Sequence, residues 1–384
     1  MSKYLIYILF FTSFGQVHSQ WVLMRTDADS LVKIGSNYIY NVEFDSARTC
    51  FSEVIRRYPD HPVGYFLDAM VEWWGMTIHR NEDVFKDDFE DKIDLVIEKC
   101  DDILEKKPTD LVALFFKGGA LGYRGRYNAM YDNWIRAALD GKKAFDIMSE
   151  CYLIAPNNHD ILLGTGIFNY FSSAIPEKYP MAKSVMFLLP PANKSLGLAQ
   201  LKAASEDSRY SQTEAKVTLM QSYYTFEKDY IKAFGVASEL HNLYPNNPYF
   251  HRYLARIYIK LGRWNDLEKE WRLIVKKSIK KMPGYNNKTA REGLYWIGSA
   301  LKRKGKYISA IKYFNKCSEV SVYMDDEESS YRLASLFKIA LIYYNQKKYK
   351  KAKNQFELIL DMPDYQNQHK SSENYLKRIS KIIK

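Results

Sequence analysis

Apolar residues recur along this chain three and four positions apart, the spacing that lines one face of a helix. Leu31, Ile34, Gly35 and Tyr38 make such a face from about Ala28, and Ala47 with Phe51 makes a second that Pro59 ends. The two-helix unit returns further on. LVALFFKGGALGY, beginning at Leu111, opens a pair closed by Ala144, Met148, Cys151 and Pro156, with an insertion expected around Asn128 to Leu139. From Glu214 the register is cleaner: Val217, Met220, Tyr224, Ala233, Ala237 and Pro245 are followed 34 residues on by Leu254, Tyr258 and Trp271. Leu294, Ile297, Gly298, Ala310 and Phe314 mark the next pair; Leu336, Ile339, Ala340, Tyr343, Ala352 and Phe356 mark the last. These two start 42 residues apart, which predicts a lengthened link through SEVSVYMDDEESS. Weaker versions at Val63 to Pro108 and Asp160 to Ser205 bring the total to about eight pairs, and no segment sustains the period-two alternation of a strand.

An alanine, an aromatic four residues later and a proline beyond, after an apolar first helix, resemble the 34-residue tetratricopeptide repeat. The resemblance implies an all-α, right-handed α-solenoid of about eight helix pairs, in which each amphipathic pair hides its apolar stripe on its neighbours. The stretch from Gly164 to Leu198 is an irregular, proline-rich insertion that four prolines keep from being a plain helix pair. Its Gly164, Gly166, Phe168, Asn169, Ser173, Pro176, Gly197 and Leu198 resemble the Iml2 and tetratricopeptide repeat 39 family, which implies a helical repeat protein with no catalytic residues to carry over.

Lys3 precedes an apolar run from Tyr4 to Phe14, and a polar stretch ends in Val17, His18 and Ser19. We read residues 1–19 as an export signal cleaved before Gln20, with an uncleaved anchor as the alternative. The run is too short to span a bilayer, and no cysteine follows to carry a lipid. The expected organisation is a signal at 1–19, a degenerate repeat region at 20–210 and a basic repeat region at 211–384. The expected location is periplasmic or secreted, with outer-membrane association as a variant. Cys50, Cys100, Cys151 and Cys317 fall in second helices of pairs and read as buried free thiols, with oxidation after export the alternative.

Charge changes the picture most. From His251 onward 30 Lys and Arg stand against 13 Asp and Glu, a net of +17, so the first 250 residues carry −6. Such a field attracts acidic protein segments, anionic glycans or lipid headgroups, and export disfavours nucleic acid. In the repeat register Tyr249, Arg252, Arg256 and Lys260 face the concave groove from one helix, and Tyr295, Lys302 and Arg303 from the next. Arginine grips carboxylates with paired hydrogen bonds and tyrosine adds rigid apolar area, so an acidic peptide is the expected guest.

Catalytic motifs are weak. Gly164-Thr165-Gly166 lacks the third glycine of a dinucleotide loop, no serine sits in a G-x-S-x-G elbow, and the seven histidines are scattered without metal-binding spacing. No cofactor or metal is expected. The reading is a non-catalytic scaffold that holds another protein in the cell envelope. A ligand-binding protein that stacks sugars on Trp73 and Trp74, and an enzyme with a site near 164–198, are the alternatives. An adjacent tryptophan pair otherwise reads as one core residue and one contact between repeats.

Overall fold

The computed structural model describes residues 25–79, 85–324 and 330–383. The proposed signal at 1–19 and the acidic part of the late link, 325–329, lie outside the described residues. The described residues form seventeen α-helices and no strand.

The first sixteen helices pack as eight consecutive antiparallel pairs. They are α1 (Thr26–Tyr40) with α2 (Phe44–Arg57), α3 (Pro62–Ile78) with α4 (Lys86–Lys106), α5 (Leu111–Met130) with α6 (Trp134–Ile154), and α7 (His159–Lys178) with α8 (Lys194–Asp207). After them come α9 (Gln212–Gln221) with α10 (Tyr230–Leu243), α11 (Pro248–Lys260) with α12 (Trp264–Ile279), α13 (Asn287–Arg303) with α14 (Tyr307–Met324), and α15 (Ser330–Asn345) with α16 (Tyr349–Leu360). A last helix, α17 (Gln368–Ile382), covers the end of the stack and lays Tyr375 flat on Phe356, rings 5.0 Å apart.

The alanine and aromatic register is the packing code. Ala47 and Phe51, Ala310 and Phe314, and Ala352 and Phe356 are all fully buried. The first two aromatics meet a glycine of the preceding helix: a Cβ at Gly35 would fall under 3 Å from the Phe51 ring, and one at Gly298 within 2.9 Å of Phe314. Ile34, expected on the packing face, is instead 47% exposed, because Val32, Gly35 and Ile39 carry that face of α1. The insertion expected at Asn128 to Leu139 is not a loop: only three residues separate α5 and α6, and the extra length is taken up by helices of 20 and 21 residues. Likewise α14 absorbs part of the late link by running on to Met324. The proline-rich stretch does contain a helix pair, since α7 carries Pro176 in its last turn, a 3-10 segment follows at Pro180–Leu188, and α8 returns against α7.

The repeat pattern alone gives no hint that the stack closes on itself. The first two pairs meet α9 to α11 across more than 130 residues of sequence. Tyr210 donates to Asp29 at 2.6 Å, Tyr40 and Trp74 donate to Glu214 at 3.2 and 2.7 Å, and Asn247 donates to the Tyr40 carbonyl at 2.8 Å. Trp74 sets its ring edge against Tyr40, Tyr249 and Phe250. Gly284 completes the seam: its φ of +71° favours glycine, and a Cβ there would lie 2.6 Å from Ile78 and 2.7 Å from Pro248. The division expected at residue 210 falls in the link between α8 and α9, and beyond α12 the stack continues as an open arm with its own small core around Leu336, Ala340 and Phe356.

Asn247 does two jobs at the seam, capping α11 through Tyr249 N at 2.9 Å while holding the carbonyl of Tyr40. Asn247→Ala removes the cap and strands a buried carbonyl, so urea denaturation is expected to show a loss of about 2 kcal/mol.

Candidate functional site

Closure of the turn leaves a cavity of about 290 Å³ lined by α1, α3, α5, α6, α7, the 3-10 segment and the start of α9. Small residues make the room. On α5, Gly118, Gly122 and Gly125 share one face and let α6 approach, so that a Cβ at Gly125 would sit 3.2 Å from the Ala137 carbonyl. On α6, Ala137, Ala138, Gly141 and Ala144 line the wall, and a Cβ at Gly141 would meet nothing within 4 Å. Aromatic and aliphatic side chains supply the rest, among them Phe66, Met70, Phe145, Phe168, Ile175 and Val185.

Few polar groups reach this space. Glu214 accepts from Tyr40 and Trp74, and Tyr123 turns its hydroxyl to the same carboxylate. Burial, and then the Glu214 charge, push both tyrosines well above the usual phenol range, so they remain donors. Asp160 is occupied by the backbone N–H groups of Arg209, Tyr210 and Ser211 and by the Ser211 hydroxyl. Arg126 has only ring faces, its guanidinium lying 4.8 Å from the Trp73 centroid and 5.4 Å from that of Tyr123. It forms no hydrogen bond or ion pair among the described residues.

The seven residues expected on the basic groove divide. Tyr249 is 8% exposed and lies in the seam under Trp74, with Gln221 on its hydroxyl. Arg252 points into the packing beside Ile78, Gly284 and Thr289; burial, then Arg256, lowers its pKa, and its Nε has no partner. Arg256 grips Glu292 of α13 with two hydrogen bonds of 2.6 and 2.7 Å. Burial works against that guanidinium, but the carboxylate overrides it and holds Arg256 above the usual arginine range. Tyr295 is half-buried among Trp296, Phe314 and Tyr331. Lys260, Lys302 and Arg303 remain. Lys260 lies over the Tyr230 ring and Arg303 over Trp264, while burial and the neighbouring Lys338 lower the pKa of Lys302.

Trp73 and Trp74 are both buried, Trp73 against Phe89 and Tyr123, so neither ring is free to stack a sugar. The Gly164 to Leu198 stretch gives the cavity an apolar wall, and its Asn169 is engaged with Gln200 and the backbone of Asn193. The cysteines are free thiols, with Cys100, Cys151 and Cys317 buried.

One cluster escaped the sequence reading. His241, His251 and Glu270, from three successive helices, bring ligand-type atoms within 4.8 Å of one another. A metal ion must lie in the plane of each imidazole it binds, yet the two rings are stacked, centroids 4.5 Å apart and planes 27° apart, so the planes do not converge at the cluster. The groups instead form a hydrogen-bonded chain: Lys277 donates to Tyr285, whose hydroxyl lies 3.0 Å from His251 Nδ1, and His251 Nε2 lies 3.1 Å from Glu270. Spacings of 10 and 19 residues on separate helices form no local motif, which is why the sequence does not announce it.

Family models described as tetratricopeptide repeat match residues 292–321 and, in a second such model, residues 29–61 and 334–362. These fall on the seventh, first and eighth helix pairs. No curated protein matches the chain. Among solved structures it is similar to the crystal structure of yeast Tom70, with 11% identity, 94% of this chain and 90% of that chain covered, and a TM-score of 0.39. It is also similar to the human IFIT1 dimer with PPP-AAAA, with 14% identity, coverage of 89% and 69%, and a TM-score of 0.42. A tetratricopeptide repeat protein from Parabacteroides merdae matches with 11% identity, coverage of 92% and 99%, and a TM-score of 0.27. The chain thus carries tetratricopeptide repeats, the architecture of a protein-interaction scaffold, and no described helix is long and apolar enough to cross a membrane.

Two measurements follow from these pairings. Arg256→Gln leaves buried Glu292 without its partner, and urea denaturation is expected to register a loss of about 2 kcal/mol. Burial lowers His61 to about 4, and burial, with the adjacent His251 imidazole as the lesser cause, lowers His241 to about 4, from an ordinary 6.5. The unfolded chain therefore takes up these protons at higher pH than the folded one. Stability is full above pH 6.5 and falls as pH drops from 6.5 to 4. Urea midpoints measured across that window are expected to decline, and less steeply in His241→Gln.

Proposed function

We propose that this chain is a non-catalytic scaffold that holds an acidic segment of a partner protein on the concave side of its C-terminal arm. The observation that carries the reading is Lys302 of α13 beside Lys338 of α15: two half-buried ammonium groups, each lacking a carboxylate partner among the described residues. Like charges so placed repel one another, and an anionic guest relieves both the repulsion and the incomplete solvation. Lys260 and Arg303, exposed on the same face of the register, extend the strip, and the +17 charge beyond residue 250 steers acidic partners to it. Tyr249, Arg252 and Arg256 belong to this reading as the support of the strip, since their side chains are committed to packing and to Glu292.

The export signal at 1–19 and the resemblance of the Gly164 to Leu198 stretch to the Iml2 and tetratricopeptide repeat 39 family complete the proposal. In this proposal the scaffold works in the cell envelope, periplasmic or secreted, and the resemblance implies no catalytic residue.

The test is binding of a fluorescent peptide rich in Asp and Glu, followed by anisotropy. The Lys302→Glu, Lys338→Glu double variant is expected to lose at least about tenfold in affinity, and wild-type binding is expected to weaken with salt. Equal affinity in the folded double variant would remove the strip from the function.

A further inference from the structure

The cavity inside the closed turn has no part in holding an acidic peptide on the far arm, and its walls are unlike that strip. It measures about 290 Å³, about twice the ~150 Å³ apolar cavity that takes up benzene. That is room for a single chain of medium length or a two-ring body, and too little for a lipid with two tails. Its lining is aromatic and aliphatic, and small residues of α5 and α6 hold it open where larger ones would fill it. Gly141 is the clearest case, a glycine inside a helix with empty space beyond its Cα. Glycine there costs about 1 kcal/mol of helix stability against alanine, and no close approach of another segment requires it.

The charges in the wall indicate what kind of head group such a ligand carries. Asp160 is saturated by backbone and hydroxyl donors, and Glu214 is surrounded by Tyr40, Trp74 and Tyr123. Arg126 alone keeps its N–H donors without an acceptor among the described residues, resting on the faces of Trp73 and Tyr123. Arg126 is half-buried beside the apolar wall with no carboxylate of the described residues on it, and a ligand carboxylate would take its donors in two parallel hydrogen bonds. The 3-10 segment gives a route for apolar matter: it turns Ala182 and Val185 into the cavity while Met181 and Phe187 stand 73% and 83% exposed on its outer side.

We propose that this cavity binds a single-chain amphiphile with an acidic head, a medium-chain fatty acid in kind, with its hydrocarbon chain against the aromatic walls and its carboxylate on Arg126.

The test is calorimetric titration of the full chain with dodecanoate below its micelle concentration, with dodecanol and dodecylammonium as the alternative head groups. One molecule per chain is expected to bind, with dodecanoate at least about tenfold tighter than dodecylammonium. Gly141→Phe projects a ring into the cavity from a position where an added Cβ meets no atom within 4 Å, so it is expected to abolish binding while leaving the circular dichroism spectrum and thermal midpoint intact. Gly141→Leu serves if the phenylalanine variant does not fold. Arg126→Gln is expected to bring dodecanoate down to the affinity of dodecanol. Absence of saturable dodecanoate binding, or binding that survives a folded Gly141 variant, would overturn the site. Preference for dodecylammonium would overturn Arg126 as the head-group residue. None of these outcomes depends on the acidic-peptide strip, whose lysines lie on other helices.

Discussion

The indole of Trp74 meeting the carboxylate of Glu214 is the contact on which the arrangement of this protein turns. It joins the second helix pair to the fifth, and Tyr40 from the first pair donates to the same oxygen. Glu214 is a half-buried carboxylate whose donors belong to elements 140 and 174 residues away in sequence, so meeting its lone pairs ties distant pairs together. Around that centre Tyr40, Trp74, Tyr244, Tyr249 and Phe250 pack edge to face or tilted, and the aromatic area excludes water from the bond it surrounds.

Two properties of the molecule depend on that seam. A solenoid whose ends are free presents a continuous open groove, whereas this one gives up the first part of its groove to a partly open apolar cavity and keeps only the later part as an arm. The cavity is apolar because the helices that line it, the second helix α6 as well as the first helices of the pairs, carry glycine, alanine and phenylalanine inward. The open part is basic, with Lys302 and Lys338 left without acidic partners among the described residues. Side chains are thereby divided along the chain, with apolar cavity walls in the first part and a lysine- and arginine-rich sequence in the second. Arg252, which the repeat register assigns to the groove, sits instead where the seam abuts α11, and burial depresses its pKa for that reason.

The hydrogen-bonded chain of Lys277, Tyr285, His251 and Glu270 shows the same physics on a smaller scale. The imidazole of His251, buried between helices, is kept neutral by desolvation, which outweighs the pull of the Glu270 carboxylate toward the charged form. His241, stacked on it with Nδ1 unpaired, is where acid acts on this region.

Periodicity along the chain was sufficient to determine the helices, their pairing and the small-against-aromatic register at Ala47 and Phe51 or Ala310 and Phe314. Those contacts join residues within one pair, where spacing of 3.6 per turn and a short link leave little freedom. Even the errors were local: extra residues at 128–139 lengthened two helices instead of forming a loop, because α5 and α6 could bury the additional turns against each other. The closed turn, the cavity and the neutralisation of Arg256 by Glu292 were decided only in three dimensions. Each depends on the summed rotation of several pairs, and a small difference in the angle between neighbours accumulates until Trp74 either reaches Glu214 or misses it. No single repeat carries that angle in its own pattern, so the sequence determined the repeating unit and its charge while tertiary packing decided which residues of the register stay at the surface and which hold the turn together.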